Sequence, residues 1–286
     1  MVGISKGILY DYYAEKVGAG EPIIFLPAAG FPGNEGLNIA EYLEEDFVTH
    51  MLDLPGLGKS MGIQARQITS LEMANWVKEY LDQQQIDKVS VIGHSLGGSL
   101  ALAFAIHFPF RVNKLILLDQ GHKPFPRIPT REFGLFAYAV PLLNIAGALF
   151  GKQVFKLVEP VFSNEDNLEE RIKRFCDIFS IEENRYIRKA YERNIDFSLD
   201  MLNLYFGFYR LNMPKLLSQV NVPTYLAYAT FKGVDEQECE NTSEHVEKLQ
   251  QHTWLPITYR PVESGHYVHW SDSALLADIK LFLEVP

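Results

Sequence analysis

Cysteine is scarce in this chain: there are two in 286 residues, Cys176 and Cys239, far apart and without C-x-x-C spacing. That pattern excludes a disulfide framework and a cysteine-rich zinc site, and free thiols in a reducing compartment are the expectation. Positive charge is also in short supply. Against 36 Asp and Glu stand 26 Lys and Arg, giving a net charge of −10 with no basic run. Electrostatic binding to nucleic acid or to an anionic membrane is therefore not expected. The first residues carry neither a long apolar run nor a cleavage-site pattern, so no secretory signal is expected and the cytoplasm is the default location. Repeats and low-complexity segments are absent.

Long uncharged runs are rare, with one exception. Phe133 to Gly151 holds no charged residue and approaches the length of a minimal membrane span. Pro141, Asn144 and the glycines at 134, 147 and 151 argue against a spanning helix. The expectation is one or two helices broken near Pro141, with an apolar face over a binding cavity.

What the chain does have is a 47% hydrophobic composition, ample for one large α/β domain or a core with an inserted subdomain. Strands are expected at Gly7–Glu15, Pro22–Leu26, Phe47–Leu52, from Val89, and at Asn113–Leu118, Pro223–Ala229 and Ile257–Val262. Gly18-Ala19-Gly20 separates the first two. Helices are expected at Leu37–Leu43 and from Thr69 to about Gln84, the latter opened by the capping-box spacing of Thr69 and Glu72, with Leu71, Ala74, Val77 and Leu81 on one face. Ser243–Gln251 and Ser271–Glu284 are the last two expected helices, and Thr230–Asn241 reads as a polar loop. Apolar strands alternating with helices predict a parallel sheet covered on both faces.

Between Gly121 and about Val220 the alternation stops. Helical patterns at Asp166–Phe179, Glu182–Asn194 and Phe197–Tyr209 predict a helical cap rich in aromatic residues, among them Phe133, Phe136, Tyr138, Phe150, Tyr205 and Phe206. Most of these are expected to pack and a few to line a pocket. The predicted organisation is a core at 1–120, a cap at 121–220 and the rest of the core at 221–286.

The most informative stretch is Val89 to Gly98, in which Val-Ser-Val-Ile runs into Gly93-His94-Ser95-Leu96-Gly97-Gly98. A β-branched run stops at a glycine, delivers a serine between small residues and continues into a helix-forming apolar segment. Glycines at these positions let backbone approach closely, so Ser95 can occupy a sharp strand-to-helix turn. A helix start beside Ser95 points free N–H groups at the place where charge develops when a carbonyl is attacked. The Pro27–Gly33 loop, after a buried strand, reads either as a tight turn or as a second source of a backbone N–H. Gly58-Lys59-Ser60 does not complete a phosphate-binding G-x-x-x-x-G-K-[ST] pattern, because the glycine nearest before it is Gly56.

A serine needs a base, and the base needs an orienting carboxylate. The chain supplies these in the order Ser, acid, His. Gly93-His94-Ser95-Leu96-Gly97-Gly98, Asp53-Leu54-Pro55-Gly56-Leu57-Gly58-Lys59-Ser60 and Gly265-His266 together resemble the α/β-hydrolase superfamily with a cap domain, over nearly the whole chain. The resemblance implies an α/β-hydrolase fold, with Ser95 as nucleophile and His266 as base; His269 is the runner-up. It places the acid shortly after the strand that follows the cap, which favours Asp235 and leaves Asp119, Glu236 and Glu238 as alternatives. It assigns the oxyanion hole to the N–H groups of Leu96 and Phe31. The superfamily often has His-Gly where this chain has Ala29-Gly30, a departure that leaves the backbone donors in place.

The implied activity is a serine hydrolase cleaving an ester, thioester or lactone with a largely apolar group. No cofactor is expected. Nor is a metal expected, since His266-x-x-His269 lacks an H-E-x-x-H context. Carbon–carbon hydrolysis or cofactor-free perhydrolysis is open too, since a fold does not choose its reaction. Two further readings stand beside these: a ligand-binding or signalling protein that keeps the triad, and a hydrolase anchored to a membrane by 133–151. A small apolar ester-like substrate is the expected partner; nucleic acid and an integral membrane position are not expected.

Overall fold

The computed structural model describes residues 10–129, 134–157, 167–193, 195 and 198–285. Among the described residues seven strands form one sheet: β1 Ala14–Gly18, β2 Glu21–Leu26, β3 Phe47–Leu52, β4 Val89–His94, β5 Val112–Leu118, β6 Thr224–Ala229 and β7 Ile257–Val262. Their spatial order is β1-β3-β2-β4-β5-β6-β7. Only β1 runs against its neighbour, with Ala14 opposite Leu52 and Gly18 opposite Val48; the other pairs are parallel. Ile23 to Leu26 and most of β4 and β5 are buried, as expected of strands covered on both faces.

Helices α1 (Leu37–Leu43), α2 (Ser70–Gln83) and α3 (Ser95–His107) alternate with the strands of the first half. The inserted segment between β5 and β6 contributes α4 (Val140–Phe150), α5 (Leu168–Phe179), α6 (Arg185–Glu192), α7 (Leu199–Tyr209) and α8 (Met213–Leu217). After β6 come α9 (Glu236–Gln250), the short α10 (Val268–Ser271) and α11 (Ala274–Glu284). One side of the sheet packs against α2 and α3, with Trp76, Tyr80, Leu100 and Phe104 fully buried. The other packs against α1 and α11 through Ile39, Leu43, Leu275 and Ile279. Helix α3 is apolar all round, as suits a helix enclosed on every side.

Several local expectations need correction. The first described strand is Ala14–Gly18 rather than Gly7–Glu15, whose first residues lie outside the described ones. In α2 the capping box is present, but Leu71 is exposed and the buried face is Met73, Ala74, Trp76, Val77, Tyr80 and Leu81. The polar stretch after β6 becomes helical at Glu236, because Asp235 caps it by accepting the Glu238 N–H at 3.0 Å. The closing helix divides at Asp272, whose Oδ1 accepts the Ala274 N–H.

Around Pro141 a 3-10 turn over Gly134–Ala139 gives way to α4, with the proline in its first turn. The apolar face of α4 does not close over a cavity: Leu142, Ile145, Leu149 and Phe150 are exposed, as is Tyr138 before them. Phe133 lies outside the described residues. Among the described residues, no helix is long and apolar enough to cross a membrane.

Candidate active site

At the carboxyl end of β4 the chain turns sharply. His94 is still extended, Ser95 has φ +50°, and α3 begins at Ser95 itself. A β-carbon on Gly97 would lie 2.2 Å from the Leu26 carbonyl oxygen, and one on Gly93 would lie 2.6 Å from the Gly98 Cα, so the elbow closes only with glycine at these places. The Gly97 N–H donates to the Pro27 carbonyl at 2.9 Å, fastening the elbow to the loop after β2. Gln120 braces it from the other side: its amide donates to the Ser95 carbonyl at 2.8 Å, and its Oε1 accepts the Gly121 N–H. Ser95 keeps partial exposure.

His266 stands on the loop between β7 and α10. Its Nδ1–H donates to Asp119 Oδ2 at 2.6 Å, so in the neutral ring the basic nitrogen is Nε2. Asp119 follows β5 directly and is fixed by its neighbours. Its N–H donates to the Ala227 carbonyl at 2.7 Å and its Oδ1 accepts the Ala229 N–H at 3.0 Å. The His266 and His94 ring centroids are 4.7 Å apart, which sets the His266 loop against the residue before Ser95.

The structure therefore brings Asp119, and not Asp235, to His266. The carboxylate of Asp235 serves as the cap of α9. Glu238 pairs with Lys123 at 2.6 Å, and Glu236 is exposed on the first turn of α9. The sequence signal for Asp119 was modest but real: an acid placed immediately after the buried run Leu115–Leu118, at the carboxyl edge of the sheet.

Charge in the site follows from burial and pairing. Burial alone would push the Asp119 carboxyl up, but the hydrogen bond and charge of His266, with Lys123 and His122, hold it well below the usual carboxylate range. Burial draws His266 below the ordinary histidine value, opposed by the hydrogen bond to Asp119. His122 is buried with its Nε2 3.7 Å from Asp119 Oδ1; burial pushes it down to about 4, so it is neutral at pH 7.

The Pro27–Gly33 loop is anchored at three points. Its Ala28 N–H donates to Glu35 Oε2 and its Gly33 N–H to Asp53 Oδ1 at 2.8 Å. The Phe31 ring packs edge-on against Phe175, Tyr191, Tyr267 and Trp270. The Phe31 N–H faces the Ala28 carbonyl at 3.3 Å, a long contact, while Leu96 sits in the first turn of α3. Asp53 also accepts from Lys59 N–H and pairs with Arg193, joining the loop to the Asp53–Ser60 turn and to the inserted segment. A cavity of about 210 Å³ borders Gly30 and is lined by Arg171, Arg174, Phe175, Ile178, Phe179 and Tyr191.

One group among the described residues has the composition of a metal site: Glu35, His94 and His269, all buried, with ligand atoms within 4.8 Å of one another. As placed, Glu35 Oε1 touches His94 Nδ1 at 2.5 Å, a hydrogen-bonded pair with no gap for an ion between the two atoms. His269, the second candidate base, is enclosed in this group and away from Asp119's hydrogen bond.

Residues 21–140 match the family described as alpha/beta hydrolase fold. The 2-hydroxy-6-oxononadienedioate/2-hydroxy-6-oxononatrienedioate hydrolase of Comamonas testosteroni is 30% identical over 182 residues, 58% of this chain and 64% of the relative. The 2-hydroxy-6-oxo-6-phenylhexa-2,4-dienoate hydrolase of Burkholderia cepacia is 35% identical over 116 residues, 39% of this chain and 41% of the relative. The matches thus span less than two thirds of the length of these relatives. Among solved structures, a thermophilic esterase from Thermogutta terrifontis superposes with a TM-score of 0.66 at 19% identity, covering 96% of this chain and 93% of its own. The enol-lactonase from Burkholderia xenovorans LB400 gives 0.63 at 14% identity, covering 96% and 97%. At these identities the superpositions speak for the fold, and with the match over residues 21–140 and the strand–elbow–helix arrangement they show that this chain has an α/β-hydrolase fold.

Proposed function

We propose that this protein is a serine hydrolase acting on a carbonyl substrate, with a carboxylic ester, thioester or lactone as the leading class, and that the helices inserted between β5 and β6 form a cap over its site. The observation that carries the reading is the 2.6 Å bond from His266 to Asp119, set beside a serine on a positive-φ elbow. In this reading Asp119 holds the imidazole with Nδ1 protonated, so that Nε2 takes the Ser95 proton as Oγ attacks the carbonyl carbon. The oxyanion is received by the N–H groups of Leu96 and Phe31, the latter exchanging its long contact with Ala28 for the ligand. Collapse of the tetrahedral intermediate expels the leaving group, protonated by His266. Water, deprotonated by the same nitrogen, then releases the acid and restores Ser95.

A second reading is hydrolysis of a carbon–carbon bond in a hydroxy-oxo-dienoate, the substrate class in the names of the relatives. The cavity beside Gly30 favours it, because Arg171 and Arg174 suit a carboxylate-bearing substrate. Kinetics on p-nitrophenyl esters of increasing acyl length, lactones, thioesters and a 2-hydroxy-6-oxo-dienoate would separate the two. Turnover of at least one class that falls at least ~10³-fold in Ser95→Ala is the expected result. Equal turnover in wild type and Ser95→Ala would refute the proposal.

A further inference from the structure

Behind the elbow lies a buried polar chain that the proposed chemistry does not use. Glu35 is fully buried, and both its carboxyl oxygens are engaged, Oε2 by the Ala28 N–H and Oε1 by His94 Nδ1, each at 2.5 Å. The other ring nitrogen of His94, Nε2, lies 3.0 Å from the His266 carbonyl oxygen. A carbonyl only accepts, so His94 Nε2 carries a proton, and one further proton lies between Nδ1 and Glu35. His269 closes the remaining side. Its Nε2 is 3.6 Å from Glu35 Oε1, neither ring nitrogen has a hydrogen-bond partner among the described residues, and its carbonyl accepts from Asn38 at 2.6 Å. A buried carboxyl is retained at such cost only where its partners are fixed by it.

We propose that Glu35 is a positioning residue, which through His94 locks the loop carrying the Phe31 N–H to the backbone of His266, so that oxyanion donor and base keep one geometry around Ser95. The inference rests on the serine-hydrolase reading. What it adds is that the loop after β2 and the loop after β7 act as one rigid unit, joined by the Glu35–His94 pair and, at the helices that follow each loop, by the Asn38 amide donating to the His269 carbonyl. Glutamine retains both contacts of Glu35, its carbonyl accepting from Ala28 and its amide donating to His94 Nδ1, whereas alanine removes both. Asparagine at 94 reaches Glu35 but not the His266 carbonyl.

The test is steady-state kinetics on the best substrate of the panel, on folded protein checked by circular dichroism. Glu35→Ala should lose roughly 10- to 100-fold in kcat with KM changed less than about 3-fold, because the loss falls on transition-state geometry. Glu35→Gln should keep kcat within about 3-fold of wild type, and His94→Asn should lose about as much as Glu35→Ala. The double variant Glu35→Ala/His94→Asn should be no worse than the weaker single, since both break the same bridge. A kcat in Glu35→Ala within about 2-fold of wild type, a loss confined to KM, or Glu35→Gln as impaired as Glu35→Ala would overturn the inference. If Glu35→Ala does not fold, His94→Asn against Glu35→Gln decides in the same way. Ser95→Ala in the same assay keeps the two ideas apart: its inactivity beside a fully active Glu35→Ala sinks only the bridge, and its activity sinks the hydrolase reading.

Discussion

Asp119 accepts both the His266 Nδ1–H and the Ala229 N–H, so its two oxygens hold the ring and the strand end together. An amide there presents an N–H to one of two donors. Asp119→Asn is therefore expected to lower kcat by roughly 10²- to 10⁴-fold with the fold kept. Asp235→Ala should leave kcat within about 3-fold and cost about 1 kcal/mol of stability, the worth of a helix cap, measured by urea unfolding. The reverse pattern would restore Asp235 as the acid. As candidates, Ser95 and His266 are legible in the sequence because each is framed by its own glycine and adjoins a readable strand. The carboxylate that faces His266 is not, since it depends on which of two loops, after β5 or after β6, meets the His266 loop, and spacing alone does not contain that. Gln120 and Glu35 carry no local signal, because the partners that tie them to the elbow, Ser95 and His94, are far off in the chain.

At the scale of the element, the β4–α3 elbow is set by backbone against backbone. A β-carbon on Gly97 would meet the Leu26 and Pro27 carbonyl oxygens at 2.2 and 2.5 Å, and neither can step aside without disturbing β2 and the Pro27–Gly33 loop. Gly97→Ala should cost about 3 kcal/mol or more. Urea midpoints compared with wild type check this, and an unchanged midpoint would show the elbow to be more yielding than its contacts imply. Strands β2, β3 and β7 fall at or within a residue of where the sequence puts them. The misreadings have physical causes. Leu71 follows the helical spacing of α2 but lies on its solvent side, since two large residues, Trp76 and Tyr80, claim the sheet. Helix α9 starts early because an aspartate cap and acidic first turn favour a helix start in a stretch that composition alone assigns to loop. The uncharged α4 leaves its apolar face outward, and a sequence without its neighbours cannot say which surface receives it.

Over the whole molecule, parallel strands and inserted helices were readable from the alternation and its interruption, whereas the order β1-β3-β2-β4-β5-β6-β7 follows from crossovers that no single segment encodes. Buried charge gives the fold a pH dependence of definite sign. His122 in the folded chain protonates at about 4, below the ordinary histidine value of the unfolded chain, so the unfolded state takes up the proton first. Its contribution to stability is complete above that ordinary value and is lost as pH falls towards 4; the depressed Asp119 acts in the same direction at lower pH. Between pH 7.5 and 4.5, urea unfolding should show a loss on the order of 2 kcal/mol attributable to His122, absent in a folded His122→Gln variant. A slope unchanged by the substitution would place the titration elsewhere.

The proposed role of Ser95 is that of a nucleophile activated by His266. Fluorophosphonate labelling read by intact-protein mass, on wild type, Ser95→Ala and Asp119→Asn, tests it most directly. One adduct is expected on wild type, none on Ser95→Ala and slowed labelling on Asp119→Asn; an adduct of equal yield and rate on Ser95→Ala would refute that role.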